Sequence, residues 1–168
     1  MTEPRPLLSV EALRVGFGGG RERAPALAID DLSFAIQPGE SVALVGESGS
    51  GKSVTALSIM RLIEREGGQI LGGRIVLSDG EAPAVDLAKA DEPTMRRLRG
   101  DRIAMIFQEP MTSLNPVLTI GLQLAEVLEL HRGMSRTAAL AEARRQLDRV
   151  RIPDAGRRLA QFPHELSG

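Results

Sequence analysis

Gly46-Glu47-Ser48-Gly49-Ser50-Gly51-Lys52-Ser53 separates the apolar, β-branched run SVALV (41–45) from VTALSIMRLIE (54–64), where Val54, Leu57 and Met60 or Leu62 recur at helical spacing. SVALV predicts a short buried strand. The stretch after the loop predicts a helix closing at Gly67-Gly68. The order is therefore strand, glycine loop, helix, and the loop meets every defined position of G-x-x-x-x-G-K-[ST]. Glycines let the backbone curl so that successive N–H groups face inward, while the following helix adds the positive end of its dipole. Phosphate is the ligand such a cradle suits. Lys52 would neutralise charge on the β- and γ-phosphates, and the Ser53 hydroxyl would ligate Mg²⁺. The alternative is an ordinary glycine-rich turn. The bare pattern arises by chance in a chain of this length on the order of one time in a hundred, and the strand-loop-helix context makes it rarer.

Working outward, Leu7 to Val15 alternates apolar and polar residues and runs into GFGGGRERA, followed by a second strand pattern around Leu27 to Ile36. These two predict an antiparallel pair. Pro38-Gly39 signals a turn. RIVLSDGEAPAVDL predicts two short strands about an Asp79-Gly80 turn, and RIAMIF (102–107) another buried strand. Beyond Gln108 the pattern turns helical. Ile120, Leu124, Val127 and Leu128 share one face; Leu140, Ala143, Leu147 and Val150 share a second, with Ser135 as N-cap and Pro153 as a stop.

Composition excludes several classes. The 168 residues suffice for one domain with a core, and a net charge of -1 gives no basic field for nucleic acid. Apolar stretches fall far short of the roughly 20 residues that span a bilayer, and the first residues lack a signal peptide's apolar core, so the expectation is a cytoplasmic chain. With no cysteine there is no disulfide, thiolate nucleophile or Cys-based zinc site. The two histidines, His131 and His164, are too isolated for a metal cluster.

The loop does not say which nucleotide is held. No N-K-x-D segment that would read guanine is present. Hydrolysis by P-loop ATPases needs a second apolar strand ending in an acid, and none is found. Asp91-Glu92 follows Ala-Lys-Ala, and Asp30-Asp31 lies inside the predicted strand pair. By its chemistry alone the chain binds a nucleotide and lacks the base.

GESGSGKS, then IAMIFQEPMTSLNPVLTIGLQLAEVL, then RIPDAGRRLAQFPHELSG resemble, in that order and spacing, the nucleotide-binding domain of ABC transporters. The likeness runs from Leu7 to Gly168. FQEPMTSLNP points to the peptide-importer branch with its oligopeptide, dipeptide, nickel and glutathione members, and more narrowly to the glutathione importers. The resemblance implies an α/β P-loop NTPase fold with an antiparallel β subdomain and a helical subdomain, divided as 7–108 and 109–168, and cut before the Walker B strand. It implies ATP and Mg²⁺ as ligands. Gly46, Glu47, Ser48, Gly49, Ser50, Gly51, Lys52, Ser53, Val54 and Thr55 would then surround the nucleotide, with Phe17 stacking on adenine, worth about 1–3 kcal/mol in related contexts. Phe17 also fits the role of a core residue at a strand end. Gln108 falls at the Q-loop, reaching Mg²⁺ and the attacking water beside Lys52, or else is a polar residue marking a strand end. Residues from Met111 to Leu130 would face the membrane subunit, or form ordinary core. His164 belongs to the family's Y-P-H-x-L-S-G run, with Phe162 replacing Tyr. His131 and the charged set Arg136, Glu142, Arg145 and Arg149 read as solvated.

The resemblance also implies that Leu166, Ser167 and Gly168 would begin the signature that completes a partner's ATP site. The implied function is the ATP-binding subunit of an importer of peptides or glutathione, peripheral on the inner face of the bacterial inner membrane. Its partners would be membrane permeases, a second nucleotide-binding domain and, indirectly, a periplasmic solute-binding protein. The rival is a non-hydrolysing nucleotide-binding fragment; a P-loop kinase with a short lid leaves FQEPMTSLNP and the final LSG unexplained. In the family fold, strands from the part after the signature lie between the strand before the loop and the one ending at Gln108. Those two are therefore expected to lack neighbours here and to leave open edges.

Overall fold

The computed structural model describes residues 5–19, 24–78, 83–107 and 113–166. They fall into two compact units that divide between Arg99 and Gly100.

In the first unit the alternating segments become a four-stranded antiparallel sheet. β1 (Leu8–Phe17) pairs with β2 (Ala26–Ile36) on one side and β3 (Gly68–Leu77) on the other, and β4 (Val85–Asp86) adds to β3, giving the order β2-β1-β3-β4. Alternation drives this: Val10, Leu13, Val15, Ile29 and Ile75 are buried, while Arg14 and Asp30 pair on the wet face at 3.0 Å. The register slips between Val10 and Leu13, where Ala12 and, across from it, Asp31 adopt positive φ of 47° and 60°. The Ser33 hydroxyl accepts the Ala12 N–H at this irregularity. Pro38 and Gly39 form the predicted turn, closed by Glu40 N–H to the Gln37 carbonyl at 3.0 Å. The Asp79-Gly80 turn lies outside the described residues.

The helix after the glycine loop, α1, covers only Lys52–Ile59. It stops well before Gly67. The Arg61 N–H returns to the Ser58 carbonyl and the Leu62 N–H to the Leu57 carbonyl, a pair of bonds that closes the helix with Arg61 left-handed at φ 53°. A 3₁₀ turn (Ile63–Glu66) then ends in Gly67, and Gly68 already opens β3. A second helix, α2 (Glu92–Leu98), was not expected; Asp91 caps it by accepting the Thr94 N–H, with Pro93 in the first turn, where its missing N–H costs nothing.

Both predicted buried strands are corrected. SVALV carries no strand, and Val45 is 88% exposed. RIAMIF is likewise open apart from a single bridge at Ile103, with Ile106 94% exposed. The reason is backbone accounting. A buried parallel strand needs hydrogen-bonded neighbours at both edges and cover on both faces; among the described residues the sheet is complete without these segments, and no strand pairs with either. Most of their apolar residues therefore meet water, with Ile103 and Met105 half-buried, and the open strand edges expected there do not form because the strands do not.

The second unit holds α3 (Ile120–Arg132), α4 (Arg136–Arg149) and α5 (Ala155–Ala160). Thr119 and the predicted Ser135 cap α3 and α4 by accepting the N–H groups of Leu122 and Ala138. The seam keeps part of the expected faces, Ile120 and Ala143, and differs in the rest. Gly121, Ala125, Ala139 and Ala155 are buried with them, whereas Leu124, Val127 and Val150 are exposed. Small residues let these helix backbones approach closely: a Cβ on Gly121 would lie 2.7 Å from the Leu159 carbonyl oxygen. α4 ends at Arg149, before Pro153, through a left-handed Arg151 whose N–H and that of Ile152 return to Asp148 and Leu147.

Candidate functional site

The glycine loop is held from two sides. Gly51 caps the N-terminus of α1 at φ 88°, and a Cβ there would stand 2.9 Å from the Ala28 carbonyl oxygen of β2. Only glycine satisfies both the dihedral and the approach. On the helix side the Thr55 hydroxyl and N–H both donate to the Gly51 carbonyl, at 2.9 and 2.8 Å. Thr55 and Ser58 are the buried residues of α1, and the Ser58 hydroxyl donates to the Val54 carbonyl at 2.7 Å.

Lys52 folds back into the loop. Its ammonium donates to the carbonyls of Gly46 at 2.7 Å and Glu47 at 2.6 Å, and to Ser50 Oγ at 3.3 Å, matching its three donors. The Ser50 N–H closes the turn onto Glu47, and a Cβ on Gly46 would fall 2.5 Å from Ser50 Oγ. A cation is thus fixed inside a ring of backbone. The N–H groups of Lys52, Ser53 and Val54 precede the first intrahelical bond, no side chain caps the helix, and its first turn holds no acid. Orphan donors at an uncapped N-terminus beside an ammonium are what an anionic oxygen seeks. Glu47, Ser48, Gly49 and Ser53 are exposed and reachable, and Val54 is half-buried. Against the loop lies a cavity of about 230 Å³, lined by Ala28, Asp31, Leu44, Ser50 and Thr55 among others.

Phe17 ends β1 opposite Ala26 and Gly68, half-buried, with its ring edge 3.0 Å from where a Cβ on Gly68 would lie. Its ring thus packs along Gly68 while part of it stays open to solvent. Gln108, Met111, Ser167 and Gly168 lie outside the described residues. Leu166 is half-buried and follows the 3₁₀ turn Pro163–Glu165, in which the Glu165 carboxylate accepts the Phe162 N–H at 2.8 Å. His164 is exposed and stacks on Phe162 with ring centroids 5.8 Å apart. His131, expected in solvent, is half-buried with Nε2 against Gly100.

The acids that sequence reading weighed for catalysis serve structural contacts. Asp91 is held below its ordinary value by the Thr94 hydroxyl and N–H, and Glu92 by its hydrogen bond to Arg99. On α4, Gln146 and then Arg145 hold Glu142 low. Arg136 pairs with Glu129 at 2.9 Å, and Arg145 with Glu142. Sequence reasoning missed Arg61 and Arg99, whose guanidinium groups bond backbone carbonyls distant in sequence. No local pattern announces such contacts. The α2 cap did have a signal, Asp91 two residues before Pro93 and three before Thr94.

Residues 29–168 match the family described as ABC transporter. A protein named for peptide import and ATP binding from Brucella abortus (strain 2308) is 58% identical over 165 residues, 98% of this chain and 48% of that protein. The glutathione import ATP-binding protein GsiA of Salmonella typhimurium is 49% identical over 166 residues, 99% of this chain and 26% of its own length. The chain spans about half or less of these relatives. Among solved structures, a dimeric ATP-binding cassette in a post-hydrolysis state with ADP and Pi aligns at TM-score 0.76 and 23% identity, over 95% of this chain and 63% of that one. That likeness is one of fold.

Proposed function

The chain belongs to the ABC transporter family, and we propose that it carries the nucleotide-binding half of an importer ATPase, holding ATP and Mg²⁺ at residues 46–55. The observation that carries this is the loop closed around the Lys52 ammonium at the uncapped start of α1. The Lys52 ammonium and the N–H groups of Lys52, Ser53 and Val54 at the uncapped helix start form a donor set that fits a phosphate chain. The nucleotide supplies the phosphoanhydride bond whose cleavage would drive transport. Lys52 would exchange its carbonyl partners for phosphate oxygens, the free N–H groups of Lys52, Ser53 and Val54 would take the remaining charge, and the Ser53 hydroxyl would hold the metal. Phe17 would bear on the base and Gln108 on the metal and water.

In this reading residues 7–108 face the nucleotide and residues 109–168 face partners. Residues 111–130 would meet a membrane permease, and Leu166, Ser167 and Gly168 would contribute to the ATP site of a second nucleotide-binding domain. The names of the relatives support peptides or glutathione as cargo, delivered by a periplasmic binding protein, with this chain on the cytoplasmic face of the inner membrane. Among the described residues no helix is long and apolar enough to cross a membrane.

A second reading has support in the site itself. Asp91 and Glu92 are committed to a helix cap and to Arg99, so neither activates water. We therefore expect these 168 residues alone to bind nucleotide weakly and not to turn it over. Titration with N-methylanthraniloyl-ATP, with Lys52→Ala alongside, tests binding, and steady-state phosphate release tests turnover. The expected result is magnesium-dependent binding weakened about tenfold or more by Lys52→Ala, with no release. Absence of binding would sink the proposal; release abolished by Lys52→Ala would sink the second reading.

A further inference from the structure

α1 is eight residues long, and helices this short are marginal without outside support. Its buried residues are Thr55 and Ser58, both polar, so its own face supplies few apolar anchors. What holds its far end is a pair of guanidinium groups. Arg99 Nε donates to the Met60 carbonyl at 2.8 Å and Nη2 to the Arg61 carbonyl at 3.0 Å, while Nη1 reaches Glu92 at 2.7 Å. The first is the C-cap carbonyl, which the helix end leaves without an intrahelical partner, the second belongs to the left-handed residue that follows it, and Met60 is buried. Arg61 Nη1 in turn lies 2.9 Å from the Leu87 carbonyl, 2.8 Å from that of Ala88 and 3.3 Å from that of Ala90, with Nε on Glu64. Both side chains are mostly buried, 16% exposed for Arg99 and 22% for Arg61.

Arg61 does this from a left-handed conformation that glycine would adopt without strain. Arg151 ends α4 in the same conformation, yet it is exposed. The turn itself therefore needs no such side chain; at Arg61 the guanidinium is what the position uses.

We propose that Arg61 and Arg99 are positioning residues for the phosphate loop: a clasp on the C-terminus of α1 that fixes where its N-terminus presents Lys52, Ser53 and the free N–H groups. This rests on the nucleotide-binding reading above. The two positive charges also complement the negative end of the α1 dipole. Slack at Met60 and Arg61 would be delivered one short, stiff helix away, at the loop.

The test uses the full chain and N-methylanthraniloyl-ATP, titrated well below the unfolding midpoint of each variant. Arg99→Met and Arg61→Gly are expected to weaken binding about fivefold or more and to speed hydrogen exchange at the amides of residues 60–62. Arg99→Lys should recover part of the affinity. Glu92→Gln, which leaves the bonds from Arg99 to the helix in place, should stay within about twofold of wild type. Arg61→Gly keeps the experiment decisive if Arg99→Met fails to fold, because glycine relieves the left-handed strain. Were the clasp only structural, Arg61→Gly would bind as wild type does, and that result overturns the proposal. Failure of the wild-type chain to bind the probe would instead refute the nucleotide reading, and the clasp's role with it.

Discussion

Replacing Gly51 by alanine separates a specific loop geometry from a generic flexible turn. Gly51 stands at φ 88°, and a Cβ placed there would lie 2.9 Å from the Ala28 carbonyl oxygen and 3.3 Å from Ile29 Cγ1. A residue with a Cβ costs about 1–2 kcal/mol in the left-handed region alone, and the backbone oxygen cannot swing aside as a side-chain end could. The variant has two outlets. If the loop stays in place, the strain appears as lost stability, a lower urea midpoint at unchanged m. If the loop lifts off β2, stability recovers but the ring around Lys52 opens, and affinity for N-methylanthraniloyl-ATP falls. Losses in unfolding and binding free energy should together reach about 2 kcal/mol, which placed wholly on binding is roughly thirtyfold in Kd. Chemical denaturation and fluorescence titration on the same preparation measure both. A Gly51→Ala chain unchanged in both, within about 0.5 kcal/mol, would refute the geometry derived for the loop and its seat on Ala28.

Ile106→Lys should change unfolding free energy by less than about 0.5 kcal/mol, because the side chain is already in water, and should reduce concentration-dependent light scattering by charging an open apolar segment; a loss of several kcal/mol would restore the buried strand that sequence alone suggested. Asp91, Glu92 and Glu142 have folded-state values below their ordinary ones. Their contribution is present above the usual carboxylate range, about 4, and lost as pH falls through the lower folded values. Urea midpoints should accordingly decline on the acid side, more gently in Glu92→Gln; stability that rises on acidification through this range would contradict the contacts described for these groups.

The unpaired segments show where local reading stops. SVALV has the composition of a buried strand, and so does RIAMIF, but burial is a property of neighbours, and the sheet formed by β1 to β4 offers them none among the described residues. The helix seam makes a related point. Periodicity picks out Leu124 and Val127 as part of a face, while Gly121, Ala125 and Ala139, outside the predicted faces, are what the seam buries, since close helix approach rewards small side chains over large apolar ones.

The sequence by itself determined the glycine loop and its lysine, the antiparallel strand pair, and the helix start capped by Ser135, because spacing, side-chain alternation and caps are short-range signals carried by adjacent residues. The family was legible for the same reason, in contiguous motifs. Only the tertiary structure decided that Gly51 rests on Ala28 and that Arg61 and Arg99 grip the end of the loop's helix. Such contacts join residues from about 20 to 40 positions apart, and which carbonyl a guanidinium reaches depends on how the chain returns, something no local pattern encodes.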